Sequence, residues 1–428
     1  MGRSAILMVM GLSLVLLMAT SGLKRDVNLA YENYLTYTNS THAHNIALSA
    51  ANMGANAVFM NNAWTTGYSG VSYDGGTFDV TVTNPTANQT KITSVGHLTK
   101  AMLGGNLVTI NDTVQVLLQP STFSKFGVYI NNMSGVAWAT GDTVWGPCHI
   151  EGTMNVLGTP VFYGKVTTKS GTNPAKLPAA NATPKFYGTY QSGVSVPLPT
   201  NFGALQTAAS SGGKLFTPPG SPAGAYSVNM TLLANGQIHY QEYKGATKVS
   251  DVTTALTTLA PNGAIVVSGG DINLQGTING QATIGSIAAS GNGGNVHIVG
   301  NIKYNNDPQT NPASTDMLGI VADNNVDIPL PSGYPSTAAP HDYLIEAAVF
   351  ARTGNFSAAY TSSMGKLGAV TLYGSLVTNT IGAFAAGDAN GNVLYGYSNK
   401  FNFDERLMVG APPAYPTTGT LEVISWKE

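Results

Sequence analysis

Residues 5–23 read AILMVMGLSLVLLMATSGL, nineteen residues without a charge or a proline. Residues 24–62 follow as KRDVNLAYENYLTYTNSTHAHNIALSAANMGANAVFMNN, again without a proline. The first stretch is long enough to cross the hydrocarbon core of a bilayer. In the second, Val27, Ala30, Tyr34, Leu48, Ala51 and Val58 continue from Leu23 mostly at steps of three and four or their multiples, the spacing of one helix face. One uninterrupted helix over 1–62 is the expectation. A cleaved secretory signal is the alternative: Arg3 supplies a basic start and Ala19 to Gly22 supplies small residues. Signal peptides have shorter apolar cores and are not continued in phase by forty helical residues.

Outward from this segment the composition changes character. The chain has 428 residues, of which 9% are charged and 43% hydrophobic, with 50 glycines and a net charge of −2. Soluble domains usually carry about 25% charged residues. The apolar content opposes disorder. A near-neutral chain lacks the basic field that nucleic acid requires, so no nucleic-acid partner is indicated. Cys148 is the only cysteine, which excludes an internal disulfide and any Cys-based metal site. It reads as a small buried residue.

After Asn62 the period falls to two. Thr77 to Thr83 alternates, and Lys91–Leu98, Thr113–Leu118 and Lys125–Asn131 follow as further strands. Residues 63–140 are expected to form a β-meander head. Residues 141–428 are expected to form a β-rich C-terminal domain. Within it, residues 170–225 are rich in Pro, Gly, Ser, Ala and Thr and read as a loop-rich insertion. Leu232 to Tyr240 reads as a hairpin with Asn235-Gly236 at its turn. In 262–304, short β-branched runs recur between Gly, Asn and Asp. They suggest a few rungs of β-helix or β-roll character, without a long solenoid. Residues 342–356 leave helix and strand open. The fold class is α+β.

No enzymatic constellation emerges. His42 and His44 stand two apart on a helix and face different ways. Ser363 to Lys366 matches an S-x-x-K string without partner motifs. A β-helical carbohydrate-active enzyme would need carboxylates gathered on one rung face, and Asp271 stands almost alone there. Asp388, Asn390 and Asn392 place oxygen ligands at alternate positions like the start of a calcium loop, without its closing Glu. Asp323 and Asp327 form a second oxygen-rich cluster. Such clusters are usually hairpin turns, and calcium is the one cofactor they leave open. Asn39, Asn88, Asn111, Asn132, Asn181, Asn229 and Asn355 each begin a glycosylation triplet.

The long N-terminal helix resembles that of type IV pilin-like proteins, especially PilX-type minor pilins with large C-terminal β-domains. Further strings resemble large pilin-like proteins of bacteria: Gly141 to His149 (GDTVWGPCH), Gly158 to Val166 (GTPVFYGKV), Gly300 to Tyr304, Leu318 to Ala322, Phe403 to Arg406, Pro412 to Pro416 and Trp426 to Glu428. The resemblance implies a subunit of an extracellular pilus-like filament whose precursor is anchored in the inner membrane. It implies a prepilin peptidase cutting after Gly2 to expose Arg3, and an inner-membrane assembly machinery. Partners would be further copies of the chain or other pilin subunits. Ile6, Val9, Leu12, Leu16 and Leu23 would exchange lipid for neighbouring helices. Pilins usually carry Glu at the fifth mature position, and Leu7 stands there. A membrane-anchored surface adhesin that does not polymerise would use the same anchor.

Overall fold

The computed structural model describes residues 2–86, 89–103, 105–221, 223–330, 342–387 and 393–428. The expected α+β arrangement is present, a long N-terminal helix followed by β-structure. Two compact units divide the chain: residues 1–120 with 420–428, and residues 121–419. The division falls at Pro120, ahead of the expected boundary at 140, and the first unit also takes the C-terminal end.

In the first unit, α1 runs unbroken over Gly2–Met60, about 90 Å at 1.5 Å per residue. Its second half lies on an antiparallel sheet of β1 (Tyr68–Tyr73), β2 (Gly76–Thr86), β3 (Gln89–Ala101) and β4 (Leu107–Thr122). The strand Thr417–Lys427 adds a fifth member beside β4. That strand begins directly behind Pro416, the last proline of the sequence. Ala43, Ile46, Ala47, Ala50, Ala51, Ala55 and Val58 are buried. Their steps of three, one and four trace one stripe of the helix. Phe78, Val80, Ile92, Leu98, Val114, Val116 and Leu118 face them from the sheet.

Two glycines set how closely helix and sheet approach. A Cβ on Gly96 of β3 would lie 2.4 Å from the Ala43 carbonyl oxygen and 2.7 Å from the Ala47 nitrogen. A Cβ on Gly54 of α1 would lie 2.9 Å from Val80 Cγ1. At Gly96 the obstacle is backbone, which cannot swing aside.

The second unit is organised by parallel strands. Lys214–Phe216, Ala264–Ser268, Gln281–Ile287, Met317–Ala322, Tyr343–Ala358 and Lys366–Ile381 pair in that order. The row continues through Val128–Ile130, Cys148–Ile150, Val166–Thr168 and Tyr190–Ser192. Register aligns apolar side chains along it: Ile265, Ile284, Ile320, Val349, Leu376, Val128, Cys148 and Val166 are successive partners. All are at most 1% exposed. Cys148 is thus a small apolar member of an aliphatic column, and burial pushes its thiol up to about 12. The expected hairpin is present, Tyr226–Leu233 against Gln237–Lys244, with Gly236 in the left-handed region (φ +81). Residues Tyr343–Ala358 are strand, which settles the segment left open.

Three sequence expectations are corrected here. The run Lys125–Asn131 does not belong to the meander; Val128–Ile130 is a member of the parallel row. Residues 170–225 are not an undivided loop-rich insertion. They hold further short parallel strands, at Thr172–Asn173, Lys185–Phe186 and Tyr190–Ser192, and the helix α2 (Gly203–Gly212). The rungs extend far outside 262–304. The signal overlooked is an aromatic–glycine pair recurring once per rung: Phe126-Gly127, Trp145-Gly146, Tyr163-Gly164 and Tyr187-Gly188. Backbones stack so tightly there that a Cβ on Gly164 would sit 2.0 Å from the Gly146 oxygen, and one on Gly188 2.2 Å from the Gly164 oxygen.

Replacing Gly96 by Val places a branched side chain against helix backbone, and overpacking of this kind costs about 1–3 kcal/mol or more. Hydrogen exchange is expected to show lost protection in α1 residues 43–58 and β3, with the second unit unchanged. Wild-type protection in the variant would show that the close approach is not required.

Candidate functional site

The first half of α1 is the outstanding surface. Ile6, Val9, Leu12, Leu16 and Leu23 are each more than 60% exposed, and Leu7, Met8, Met10, Leu14, Val15, Leu17 and Met18 are open as well. Apolar residues surround the helix on every side, which is the pattern of a helix immersed in an apolar medium. By length and composition the helix can cross a membrane. Fully burying twelve such side chains is worth on the order of 20 kcal/mol, so water is a poor solvent for this half.

Three hydroxyls within the apolar run bond back to the helix itself. The Ser13 hydroxyl donates to the Val9 carbonyl at 2.8 Å, Thr20 to Leu16 at 2.8 Å, and Ser21 to Met18 at 2.9 Å. Hydroxyls that bond back to their own helix need no water. Gly11 and Gly22 have nothing within 4 Å of an added Cβ, so both present bare helix backbone. The apolar surface also outlasts the membrane-length run. Val27, Tyr31, Tyr34 and Tyr37, at steps of four, three and three, are between 49% and 74% exposed. The sequence periodicity had grouped Leu23, Val27, Ala30 and Tyr34 with Ala51 and Val58. The structure buries only the latter part of that stripe, because the sheet meets α1 from Asn39 onward.

Gly2 and Arg3 lie in the first turn of α1, with Arg3 exposed. The possible calcium ligands are not brought together. Asp323 is 5% exposed. Its carboxylate accepts from Arg352 Nε at 2.8 Å and from the Ala288 N–H at 3.0 Å. Asp327 is paired with His297 Nδ1 at 2.9 Å. Each carboxylate therefore already has a donor of its own, which corrects their reading as one oxygen cluster. Asp388, Asn390 and Asn392 lie outside the described residues, as does Asn88. Among the described residues, no group of three or more His, Cys, Asp and Glu side chains has the spacing of a metal site. Asn111, Asn132 and Asn181 are exposed, while Asn229 and Asn355 are half-buried on strands. Asn39 is 8% exposed, with Nδ2 beside Met102 Sδ at 3.8 Å; a folded chain cannot carry a glycan there, which corrects that site.

One constellation escaped the sequence reading. His149 is fully buried; its Nδ1 meets Thr167 Oγ1 at 2.7 Å and its Nε2 meets Glu151 Oε2 at 3.0 Å. Glu151 also accepts from Lys169 Nζ at 2.9 Å, Ser195 Oγ at 2.5 Å and the Val196 N–H at 2.6 Å. A hydroxyl, an imidazole and a carboxylate in line have the order of a nucleophile relay. The imidazole is sealed from solvent and stacked on Tyr129 at 5.1 Å, so the group ties rungs together with every polar atom of Glu151 engaged. Burial works to raise the Glu151 pKa, but its hydrogen bonds from Lys169, Ser195, Val196 and His149 outweigh that and hold it at about 2. Burial lowers the pKa of His149 against the pull of Glu151. The pairing was visible only as His149-x-Glu151 in sequence; Lys169, Ser195 and Thr167 arrive from later rungs.

No family model matches the chain, and no curated protein is significantly similar to it. Among solved structures, the chain is similar to the crystal structure of the competence-associated pilin ComZ from Thermus thermophilus. The sequence identity is 13% and the TM-score 0.39, over 91% of this chain and 97% of that one. A likeness this loose determines neither fold nor activity.

Acid is expected to loosen the second unit in two stages. His149 is held neutral, so stability falls as pH drops below the ordinary imidazole value of 6.5. Glu151 titrates low in the fold, so its contribution is complete above 4.5 and is lost as pH falls from there toward 2. Thermal melting between pH 8 and pH 3 checks this. Glu151→Gln is expected to flatten the lower stage; an unchanged profile in that variant would remove Glu151 from the account.

Proposed function

We propose that the chain is a structural subunit of a type IV pilus-like filament on the cell surface, held before assembly in the inner membrane by the first half of α1. One observation carries this reading. A plain anchor needs only the apolar residues 5–23, yet the exposed stripe continues through Val27, Tyr31, Tyr34 and Tyr37. This stretch, too far along to sit in the same hydrocarbon layer, is not covered by the protein's own sheet. A second copy of the same helix has the length and the apolar surface to cover both parts at once.

The exchange is energetically gentle. In the membrane, lipid surrounds Ile6, Val9, Leu12, Leu16 and Leu23; in a filament, neighbouring helices do. Transfer between two apolar surroundings loses little, whereas water would oppose escape of either kind. Gly11 and Gly22 permit close approach of a second helix. Processing after Gly2 by a prepilin peptidase, and extraction by an inner-membrane assembly machinery, belong to the same proposal. So does the reading of the parallel row as a β-helix coil carried on the outside of the filament.

Two substitutions separate anchoring from polymerisation. Leu12→Lys places a charge at the centre of the apolar run, which costs about 3 kcal/mol for membrane insertion, and is expected to reduce membrane-bound protein severalfold. Tyr34→Glu lies beyond the bilayer and is expected to leave membrane association intact while abolishing filaments sheared from cells and viewed by electron microscopy. Filaments that persist in Tyr34→Glu, or wild-type cells that show anchored protein and no filaments, would overturn polymerisation and leave the anchored surface protein. A mature N-terminus beginning at Arg3 supports the processing step; one near Leu23 would overturn retention of the helix.

A further inference from the structure

The second unit presents a flat, nearly uncharged polar lattice. Asn229, Asn273, His297, Asp327 and Ser357 are successive register partners on five neighbouring parallel strands. Their strand neighbours Val228, Ile272, Val296, Val326 and Phe356 are all fully buried, so alternation turns this row outward. The row spans about 19 Å at roughly 4.8 Å per strand. Beside it runs a second row, Asp271, Asn295, Asn325 and Asn355, linked side chain to neighbour. Asn295 Nδ2 donates to Asp271 at 3.0 Å, Asn325 Nδ2 to Asn295 at 3.3 Å, and the Asn355 N–H to Asn325 Oδ1 at 3.0 Å. The two rows recur in sequence at a spacing of 30: Asn295, Asn325 and Asn355, then His297, Asp327 and Ser357.

A groove of about 650 Å³ opens over the far end of these rows, with Tyr360 among its lining residues. A second, of about 380 Å³, opens over the near end, beside Asn229 and Asn273. Among the described residues, Asn229 Nδ2, Asn355 Nδ2 and His297 Nε2 have no hydrogen-bond partner, although their neighbours are tied down. These are unused polar groups on a rigid sheet, pre-organised at rung spacing. No Lys or Arg lines either groove.

We propose that this lattice binds a neutral, hydroxyl-rich polysaccharide lying across the strands. Amides both donate and accept and so match vicinal hydroxyl groups. Tyr360 adds an aromatic ring to the lining, and ligand sites combine such apolar surface with a few placed polar groups. Phosphate or carboxylate polymers are disfavoured, because the only charged side chains in the two rows are the carboxylates Asp271 and Asp327 and the imidazole partner of Asp327. Nucleic-acid binding depends on cationic neutralisation of phosphate, which this surface does not supply. The proposal concerns the second unit alone and stands whether or not α1 polymerises.

The test uses the full chain in lauryldimethylamine oxide, a detergent without sugar. Affinity electrophoresis is run through gels containing dextran, a mixed-linkage β-glucan or galactomannan, with heparin and single-stranded DNA as polyanion controls. Retention by at least one neutral polymer is expected, with at least a tenfold weaker dissociation constant in Asn273→Ala/Ser357→Ala at unchanged melting temperature. Hydroxyl-radical footprinting of the wild-type protein gives a readout that needs no variant: bound polymer is expected to protect Tyr360. Retention by none of the neutral polymers, retention by the polyanions alone, or neutral binding that neither protects Tyr360 nor weakens in the variant would each overturn the proposal.

Discussion

A helix without a polar face has to be solvated by something other than water, and the rest of this protein is built around that constraint. The chain meets it over residues 39–58 by laying the helix on its own sheet, with Gly96 and Gly54 removing the side chains that would hold the two apart. Over residues 5–34 the helix stays exposed. Within the apolar run 5–23, the hydroxyls of Ser13, Thr20 and Ser21 bond back to their own helix, as an apolar surrounding requires. An apolar surrounding is what this surface calls for, which is the premise of the proposed filament.

The second unit solves a different problem, how to make a stable body with 9% charged residues and one cysteine. Its answer is register. Each rung places one aliphatic side chain directly over the last, so the column from Ile265 to Val166 excludes water without any covalent staple. Two of its buried carboxylates show how charge enters this body. The Glu151 carboxylate gathers four donors, and Asp323 gathers Arg352 and a backbone N–H. Buried charges without such partners would be costly, and both of these carboxylates are tied to groups from other strands. The outward rows of Asn, Ser and His sit on that stiff frame and inherit its spacing.

Much of the first unit was legible from local pattern. Helical steps of three and four and strand alternation are properties of short windows, and Gly2–Met60 and β2 to β4 follow them. The second unit was legible only in pieces. Short β-branched runs between glycines marked rungs near 262–304, but runs of two or three residues at Val161–Phe162 or Lys185–Phe186 carry no period of their own. The aromatic–glycine pairs at 126, 145, 163 and 187 were the usable signal, and their unequal intervals hid it. Asn39 shows the same limit on a smaller scale: its triplet is intact in sequence, and only the fold buries it against Met102.

The sequence alone determined that the N-terminal helix is long, apolar and continuous, because those are consequences of composition and spacing along one segment. It determined that the remainder is β-structure with tight turns, because glycine, threonine and asparagine leave few other regular options. Tertiary structure alone decided that the strand Lys366–Ile381 sits beside Val128–Ile130, and that Thr417–Lys427 completes the first sheet. Those pairings join residues some 250 to 300 positions apart. What selects them is burial and register between whole strands, and neither is written in any window short enough to be read along the chain.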